Sequence, residues 1–386
     1  MTPRLLRTAV ATALALGALG LNQPARASSP DGVHTVRVPD GDPHVRSLAP
    51  RTTAPFSLVG VTWDDPDAAL EGTAEVRTRS RQSGLWSAWR PLESDVHAPE
   101  AGPDRDRTGV RGSTQPLWTG PSDGVQVRVS GSRLPAGLRV DLVDPEAGSG
   151  AVHTAVVEPG EGGPLAAEPP VVTSRSSWGA DESLVKDPPT YTGDTKAVFV
   201  HHTAGTNDYT CSESASIVRG VFLYHVQSNG WNDIGYHFLV DKCGTVFEGR
   251  AGGIDKPVLG AHTYGFNTDT SSVSVLGDYS TATTNAAVRE SVAKVAAWKL
   301  GLYGADPAGT VVLTSGADNG KYKLGQKVTF HRISGHRDGY PTACPGQNLY
   351  DDLPQIRTLA QNAAKPAEPT QEPAGPLPDD EDVLTR

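Results

Sequence analysis

The chain has 386 residues, of which 44 are acidic and 34 are basic, so its formal net charge is −10 at pH 7. At about 150 residues per domain, this length predicts two domains. The acidic balance, with no basic stripe along the sequence, excludes a nucleic acid as the partner, because binding to phosphates needs clustered Lys and Arg.

Residues 1–27 have the features of a signal peptide. Arg4 and Arg7 precede an apolar run at 9–16, and the Ala-Arg-Ala sequence at 25–27 is typical of a cleavage site. The apolar run is too short to cross a membrane, and no later run reaches that length. We therefore expect a secreted, extracellular chain, cleaved near residue 27, with no transmembrane segment.

The next two stretches differ in pattern. Residues 28–55 are polar and rich in proline, with no usable period, and are predicted to be a polar N-terminal segment. From 56 to 146, short runs alternate charged and apolar residues, as in half-buried strands. These runs predict a small all-β, sandwich-like domain of unknown role. Its Trp86 and Trp89 either stack on carbohydrate or pack within the sheet, and packing is favoured.

Two further segments lack any apolar period. Residues 147–170 are rich in Gly, Pro, Ala and Glu, which predicts a linker. Residues 363–386 combine several prolines with the acidic run at 379–382, and they are too polar to form a core. We expect this acidic tail to be disordered.

Residues 171–362 mix strand and helix patterns. The apolar run at 197–200 is suited to a central strand, and it brings His201 to the C-terminal end of that strand. Further elements are predicted in chain order: a helix from about Ser212 to Asn229, strands over 234–240, 245–248 and 272–276, and a helix over 285–300. The order predicts an α/β domain, a central mixed β-sheet flanked by helices.

Two imidazoles and one thiol indicate a metal site in this domain. His201 follows the central strand, and His336 precedes Cys344 by eight residues. Two nitrogens and a thiolate form a borderline-soft ligand set that suits Zn2+ and leaves a fourth position open, as catalytic zinc requires. The ligands are far apart in the sequence, so only the fold can bring them together. The set favours a zinc hydrolase.

The remaining cysteines, Cys211 and Cys243, are the natural candidates for a disulfide bond, because an exported chain can hold an oxidised pair. They bracket the first predicted helix and the strand that follows it. Cys344 then stays reduced, as a metal ligand must, since a thiolate committed to a disulfide cannot bind zinc.

Five phrases of this domain carry a resemblance to a known family. They are SRSSWGA at 174–180, VHHTA at 200–204, GWNDIGYHF at 230–238, GAHT with GFN at 260–267, and GHRD closing with CP at 335–345. Taken in this order, they resemble the peptidoglycan recognition protein and type-2 N-acetylmuramoyl-L-alanine amidase family. The preceding β-domain makes the layout similar to secreted actinobacterial members.

The resemblance implies roles for individual residues. The three predicted ligands occupy the zinc positions of the family. Tyr236 takes the position of the catalytic tyrosine, and Thr342 stands where the family has a lysine or threonine near the scissile carbonyl. The phrase of His262 corresponds to the region that lines the substrate groove of the family, so contact with peptidoglycan is favoured there over a role in maintaining the fold. Arg250, Tyr264 and Asn267 are further candidates for substrate binding.

The implied reaction is hydrolysis of the amide between N-acetylmuramic acid and L-alanine. Zinc would polarise the carbonyl and lower the pKa of a water molecule towards ~7. Tyr236 would orient this water, and Thr342 would donate a hydrogen bond to the developing oxyanion. No carboxylate stands out as a general base.

Two other functions fit parts of the pattern. Some family members only bind peptidoglycan, but these typically lack the cysteine ligand, whereas Cys344 and Tyr236 are both present here. A zinc peptidase that cuts the stem peptide or another protein has the same ligand chemistry, and analysis of its products would distinguish it. The type of stem peptide, with diaminopimelate or lysine, is not readable from the sequence.

Overall fold

The structure is a computed structural model that describes residues 32–94, 99–100, 102–147, 156 and 167–364. The predicted signal peptide, most of the predicted linker and nearly all of the predicted acidic tail lie outside the described residues. In the described ranges, no helix has the length and apolar character needed to cross a membrane.

The first domain is all-β, as predicted. Within the described residues, seven antiparallel strands form one sheet in the order β1-β7-β2-β6-β3-β4, and β5 pairs with β2. The strands are β1 (Val33–Arg37), β2 (Val45–Trp63), β3 (Gly72–Ser80), β4 (Arg90–Leu92), β5 (Gly112–Ser113), β6 (Leu117–Gly131) and β7 (Arg139–Val143).

The central strand β2 is long and irregular. Register shifts interrupt its pairing with β6 between Leu48 and Leu58, and from Leu58 onward it also pairs with β7 on its other side. Such irregularities bend a strand and increase its twist. The sheet thereby encloses an apolar core that includes Val59, Val61, Val76, Val127 and Val140.

The domain begins earlier than the sequence predicts. β1 and the first part of β2 lie within 28–55, which was predicted to be a polar segment outside the domain. Between residues 45 and 53 only Leu48 is buried, so the strand follows the edge of the core and shows no apolar alternation. Pairing with β6, a contact distant in sequence, holds this stretch in the sheet.

The second domain is α/β with a mixed sheet, as predicted. In the described part of the chain its six strands have the order β15-β9-β12-β10-β11-β8. Neighbouring strands are parallel except β10 and β11. The strands are β8 (Val172–Thr173), β9 (Ala197–His202), β10 (Phe238–Val240), β11 (Val246–Glu248), β12 (Thr270–Val275) and β15 (Ile333–Gly335), with a separate hairpin of β13 (Thr310–Thr314) and β14 (Lys327–His331).

Helices cover both faces of this sheet. They are α1 (Arg175–Trp178), α2 (Ser214–Leu223), α3 (Ala286–Gly301), α4 (His336–Gly339), α5 (Gln347–Asp351) and α6 (Leu353–Ala363). A π-helical turn, Tyr224–Ser228, continues α2. α3 and α6 belong to the core on one face. α2 belongs to a second core that also contains Leu58, Trp118 and Val143 of the first domain, so the two domains share buried apolar surface.

Two local predictions can be compared with the structure. Cys211 and Cys243 form the predicted disulfide, with a Cα–Cα distance of 6.4 Å, and it ties the start of α2 to the turn after β10. β10 begins at Phe238 instead of residue 234. The His237 amide donates to the Ser272 hydroxyl, and not to a carbonyl of β12, so regular pairing starts one residue later.

Candidate active site

The three predicted metal ligands meet at one edge of the mixed sheet. His201 lies at the end of β9, and His336 directly follows β15, its parallel neighbour. Because neighbouring parallel strands end on the same edge of a sheet, the two imidazoles come together. One ligand atom from each of His201, His336 and Cys344 lies within 4.8 Å of the others, and all three side chains are buried.

The chemistry of this cluster fits a transition metal. His336 Nδ1 is buried and has no hydrogen-bond partner among the described residues, as expected for an atom that binds a metal. Burial lowers the pKa of His336 to about 3. Burial, followed by the nearby His336, lowers the pKa of His201 well below its ordinary value. Two neutral imidazoles beside a thiol are the donors that Zn2+ prefers.

A tight loop positions Cys344. Its Sγ lies 3.8 Å from His201 Nδ1 and accepts a hydrogen bond from the His202 amide at 3.4 Å. The Cys344 amide donates to Thr342 Oγ1 at 3.0 Å, and the Arg337 amide donates to the Cys344 carbonyl at 3.0 Å. Thr342 therefore holds the ligand loop through its lone pair, and its own O–H proton is not used in that bond.

Tyr236 lies beside the metal cluster. Its ring centroid is 5.3 Å from that of His201, and burial raises the pKa of Tyr236. The phenol therefore stays protonated at neutral pH and can act as a hydrogen-bond donor. Its hydroxyl accepts a hydrogen bond, at 3.4 Å, from Gln115 of the first domain.

The four predicted substrate-binding residues fall in two places. His262, Tyr264 and Asn267 line the same pocket as Tyr236 and His336. Arg250 lies apart from them and lines a neighbouring pocket, where its guanidinium forms an ion pair with Asp104 of the first domain.

Asn267 also has a structural task. Its Oδ1 accepts hydrogen bonds from the amides of His262, at 2.7 Å, and Thr263, at 2.9 Å. The His262 ring is 5.3 Å from the His201 ring. Thr263 Oγ1 lies 3.5 Å from His201 Nε2. The loop that contains these residues thus orients His201, one of the predicted metal ligands, as the groups around a metal site commonly do.

His202 points away from the metal cluster, as its place on the strand predicts. Its Nδ1 accepts a hydrogen bond from the Tyr279 amide at 3.2 Å. Its Nε2 lies 3.3 Å from a carboxylate oxygen of Glu93, in the first domain. The side chain is fully buried, so it supports the interface between the domains.

Comparisons with known proteins identify the family. Residues 191–347 match the family described as N-acetylmuramoyl-L-alanine amidase. Peptidoglycan recognition protein 1 of Bos taurus is 31% identical over 192 residues, which span 48% of this chain and 83% of that protein. The chain belongs to the peptidoglycan recognition protein family. Peptidoglycan-recognition protein SC2 of Drosophila simulans is 28% identical over 182 residues, 47% of this chain and 84% of that protein.

Two further comparisons cover the fold. Among solved structures, wild-type PGRP-LB of Drosophila is 27% identical, with a TM-score of 0.36, over 47% of this chain and 90% of that chain. Residues 19–158 match the family described as Rv3811 N-terminal galactose-binding domain-like. The all-β domain that matches this galactose-binding domain-like family thus precedes the domain that matches the amidase family.

The sequence did not predict that the first domain reaches the candidate active site. Pro99 and Gln115 line the pocket above the metal cluster, together with Tyr236, His262 and His336. Pro99 and Gln115 precede all of the amidase motifs, and Gln115 is 121 positions from Tyr236, whose hydroxyl it contacts. No motif or spacing links the two regions, and only the tertiary structure shows the contact.

Proposed function

We propose that this chain is a secreted, zinc-dependent N-acetylmuramoyl-L-alanine amidase that cleaves the bond between N-acetylmuramic acid and L-alanine in peptidoglycan. The convergence of His201, His336 and Cys344 beside Tyr236 is the observation that carries the proposal. The match to the amidase family supports a hydrolase of amide bonds. The presence of Cys344 and Tyr236 favours catalysis over binding alone.

The side chains at the site suit this reaction. The two histidines and the cysteine would hold Zn2+, which polarises a carbonyl and acidifies water. Tyr236, kept protonated by burial, donates a hydrogen bond that orients the attacking water. Thr342 directs its hydroxyl proton to the oxyanion that develops as the amide carbonyl is attacked.

Metal and product analysis of the purified full chain test the proposal. We expect one zinc per chain, loss of activity with a chelator, and recovery when zinc is added. Peptidoglycan digested by the enzyme should release stem peptides with a free L-alanine amine, as seen by mass spectrometry. Cys344→Ser should lose zinc and turnover while remaining folded.

Other products or metal contents would refute the proposal in distinct ways. Cleavage within the stem peptide would identify a zinc peptidase. Binding to peptidoglycan without any release of fragments, in zinc-loaded protein, would identify a recognition protein that does not catalyse. Active protein without zinc would exclude the metal site itself.

A further inference from the structure

A segment of the first domain covers the groove above the metal cluster. We call Pro99, Glu100 and residues 102–111 the cover segment. The residues that follow it, 112–115, belong to the sheet of the first domain, where β5 pairs with β2 and the Thr114 amide donates to the Val61 carbonyl. The cavity that remains beneath it, lined by Pro99 and Gln115, has a volume of about 30 Å3. This is room for a water molecule or two, whereas ligand sites occupy about 300–1,000 Å3. A muramyl peptide cannot enter while the segment is in place.

Glu100 occupies a site built for a carboxylate. One oxygen accepts from the Gly265 amide at 3.3 Å and from Asn267 Nδ2 at 2.5 Å, and the other accepts from the Asn267 amide at 3.2 Å. Three N–H donors of the amidase domain thus converge on one acidic group. No Lys or Arg in the described ranges forms an ion pair with it, and burial raises the pKa of Glu100.

A second acidic residue of the cover segment pairs with a candidate substrate-binding residue. The Asp104 carboxylate binds the Arg250 guanidinium, and both side chains are buried. The other oxygen of Asp104 accepts from the Asn232 amide at 2.8 Å. The cover segment therefore satisfies a polar side chain of the pocket above the metal cluster, Asn267, and one of the neighbouring pocket, Arg250.

The rest of the segment is attached by polar and apolar contacts. Arg107 pairs with Asp187 and donates to Asn232 Oδ1 at 3.1 Å. Val110 packs in a small apolar cluster with Trp231 and Ala261, which belongs to the groove wall. All of these contacts lie between the cover segment and the amidase domain.

The body of the first domain is held independently of this segment. Leu58, Trp118 and Val143 share a buried core with α2, and an apolar interface of this kind opposes movement of one domain against the other. The cover segment is attached mainly by buried carboxylates and has one small apolar contact, at Val110. Desolvation of the carboxylates offsets much of the attraction that they gain. The cover segment can therefore be displaced without separating the domains.

We propose that the cover segment is an intramolecular inhibitor, which an acidic muramyl peptide displaces by placing its carboxylate on the donors that now bind Glu100. The identity of this ligand rests on the proposed function. The closure of the groove rests only on the contacts of the cover segment described above. The apparent Kd for the ligand is then the Kd of the open groove divided by the fraction of molecules in which the groove is open.

The test measures binding of N-acetylmuramoyl-L-alanyl-D-glutamate to the full zinc-loaded chain by calorimetry. Each protein carries Tyr236→Phe for this measurement, so that the peptide is bound and not cleaved, and the same variants with Tyr236 intact report cleavage. In the closed form of the double variant Glu100→Ala, Asp104→Ala, the N–H donors that bind Glu100 and the Arg250 guanidinium lose their partners. The closed form is therefore destabilised relative to the open form, and we expect a Kd at least tenfold lower than that of the wild type. Val110→Asp, which removes neither carboxylate, should also tighten binding. The matched control, Glu75→Ala with Asp123→Ala, removes two acidic residues of the same domain that pair within it and should leave Kd unchanged.

A second probe tests the carboxylate site. The diamide of the same muramyl peptide should bind the Glu100→Ala, Asp104→Ala variant at least tenfold more weakly than the free acid. Equal Kd values for wild type and both cover variants would overturn the inhibitor, and equal binding of acid and diamide would overturn the displacement by a carboxylate. Tighter binding without cleavage in any variant would uphold the inhibitor and refute the amidase.

Discussion

At the metal cluster, the position of each ligand follows from its place on the chain. His201 and His336 end adjacent parallel strands, and Cys344 is brought back by a loop that the Thr342 hydroxyl and the Arg337 amide fix. A ligand set of this kind needs no long-range ordering beyond the sheet itself. The sequence therefore predicted that these three side chains converge, because strand ends and motif spacing carry the geometry, whereas their role as zinc ligands stays a prediction.

The first prediction separates a ligand histidine from an ordinary one. His336→Ala should lose zinc to a chelator concentration that leaves the wild type loaded, because only two ligands remain. His331 lies five residues earlier and its side chain is exposed, so His331→Ala should retain zinc as the wild type does. Metal content after dialysis measures both. Equal zinc retention by the two variants would remove His336 from the site.

The second prediction concerns the hydroxyl of Tyr236. Tyr236→Phe keeps the ring beside His201 but removes the donor, so we expect unchanged zinc content and a rate lower by roughly 10²-fold, the scale of one positioned catalytic group. Tyr191→Phe, at an exposed tyrosine whose hydroxyl donates to the Gly252 carbonyl and not to a residue of the cluster, is the control and should keep its rate. An unchanged rate in Tyr236→Phe would leave this residue with a packing role only.

At the scale of elements, the disulfide links α2 to the hairpin of β10 and β11. Cys211 and Cys243 are separated by 32 positions. In the loop-entropy model a link of this span contributes about 3–4 kcal/mol to the free energy of unfolding. Replacing both cysteines with serine should lower that free energy in urea titrations, without changing zinc content. Loss of zinc together with stability would show that the disulfide also supports the metal site.

Helix α3 contains a buried lysine. Lys299 donates from Nζ to the carbonyls of Ile254, at 2.7 Å, and Lys256, at 2.6 Å, and burial lowers the pKa of Lys299 to about 7. Between pH 7 and 10 the unfolded chain then binds more protons at this site than the folded chain. The free energy of unfolding should therefore rise with pH, by about 2 kcal/mol from pH 7 to 9.

Two variants distinguish the titration of Lys299 from that of the other ionisable groups of the protein. Lys299→Met lacks the group, so its free energy of unfolding should rise less between pH 7 and 9 than that of the wild type. Lys294→Met, on the same helix but with a partly exposed side chain, should follow the wild type. Urea titrations at the two pH values give the slopes, and identical slopes in all three proteins would show that Lys299 remains charged.

Elements with strong local patterns were predictable, and elements that depend on distant partners were not. The predicted helix at 285–300 agrees with α3, because buried residues such as Val288, Val292 and Val295 recur at helical spacing. The N-terminal part of β2 has a single buried side chain over nine positions, so nothing in the sequence distinguishes it from a polar segment. Its partner β6, about eighty residues away, makes it a strand.

At the scale of the whole molecule, the relation between the two domains was outside the reach of the sequence. Residues such as Glu100 and Asp104 have the pattern of a charged surface loop, and their partners Asn267 and Arg250 belong to another domain. The sequence predicts that charged side chains of this kind lie outside an apolar core, but it does not predict which residues of the other domain they contact. The covered site is therefore a property of the assembled chain.

The last prediction tests whether the domains stabilise each other. In the full chain, the Tyr224 hydroxyl donates to the Thr114 carbonyl at 3.1 Å, and its ring packs against Gly60 of β2. A methyl group at Gly60 would overlap the Tyr224 ring, and full burial of that ring leaves it no room to move. Gly60→Ala should thus destabilise the protein by about 1–3 kcal/mol, the cost of overpacking.

Gly41→Ala is the matched control, because an added methyl group there meets no atom within 4 Å. It should change the free energy of unfolding by less than about 1 kcal/mol, because it alters only the conformational entropy of the unfolded chain. Because the core around α2 contains residues of both domains, wild type should unfold in one cooperative transition, by fluorescence and circular dichroism alike. Two transitions in wild type, or equal stability of the two variants, would show that the domains fold independently and that their interface contributes little.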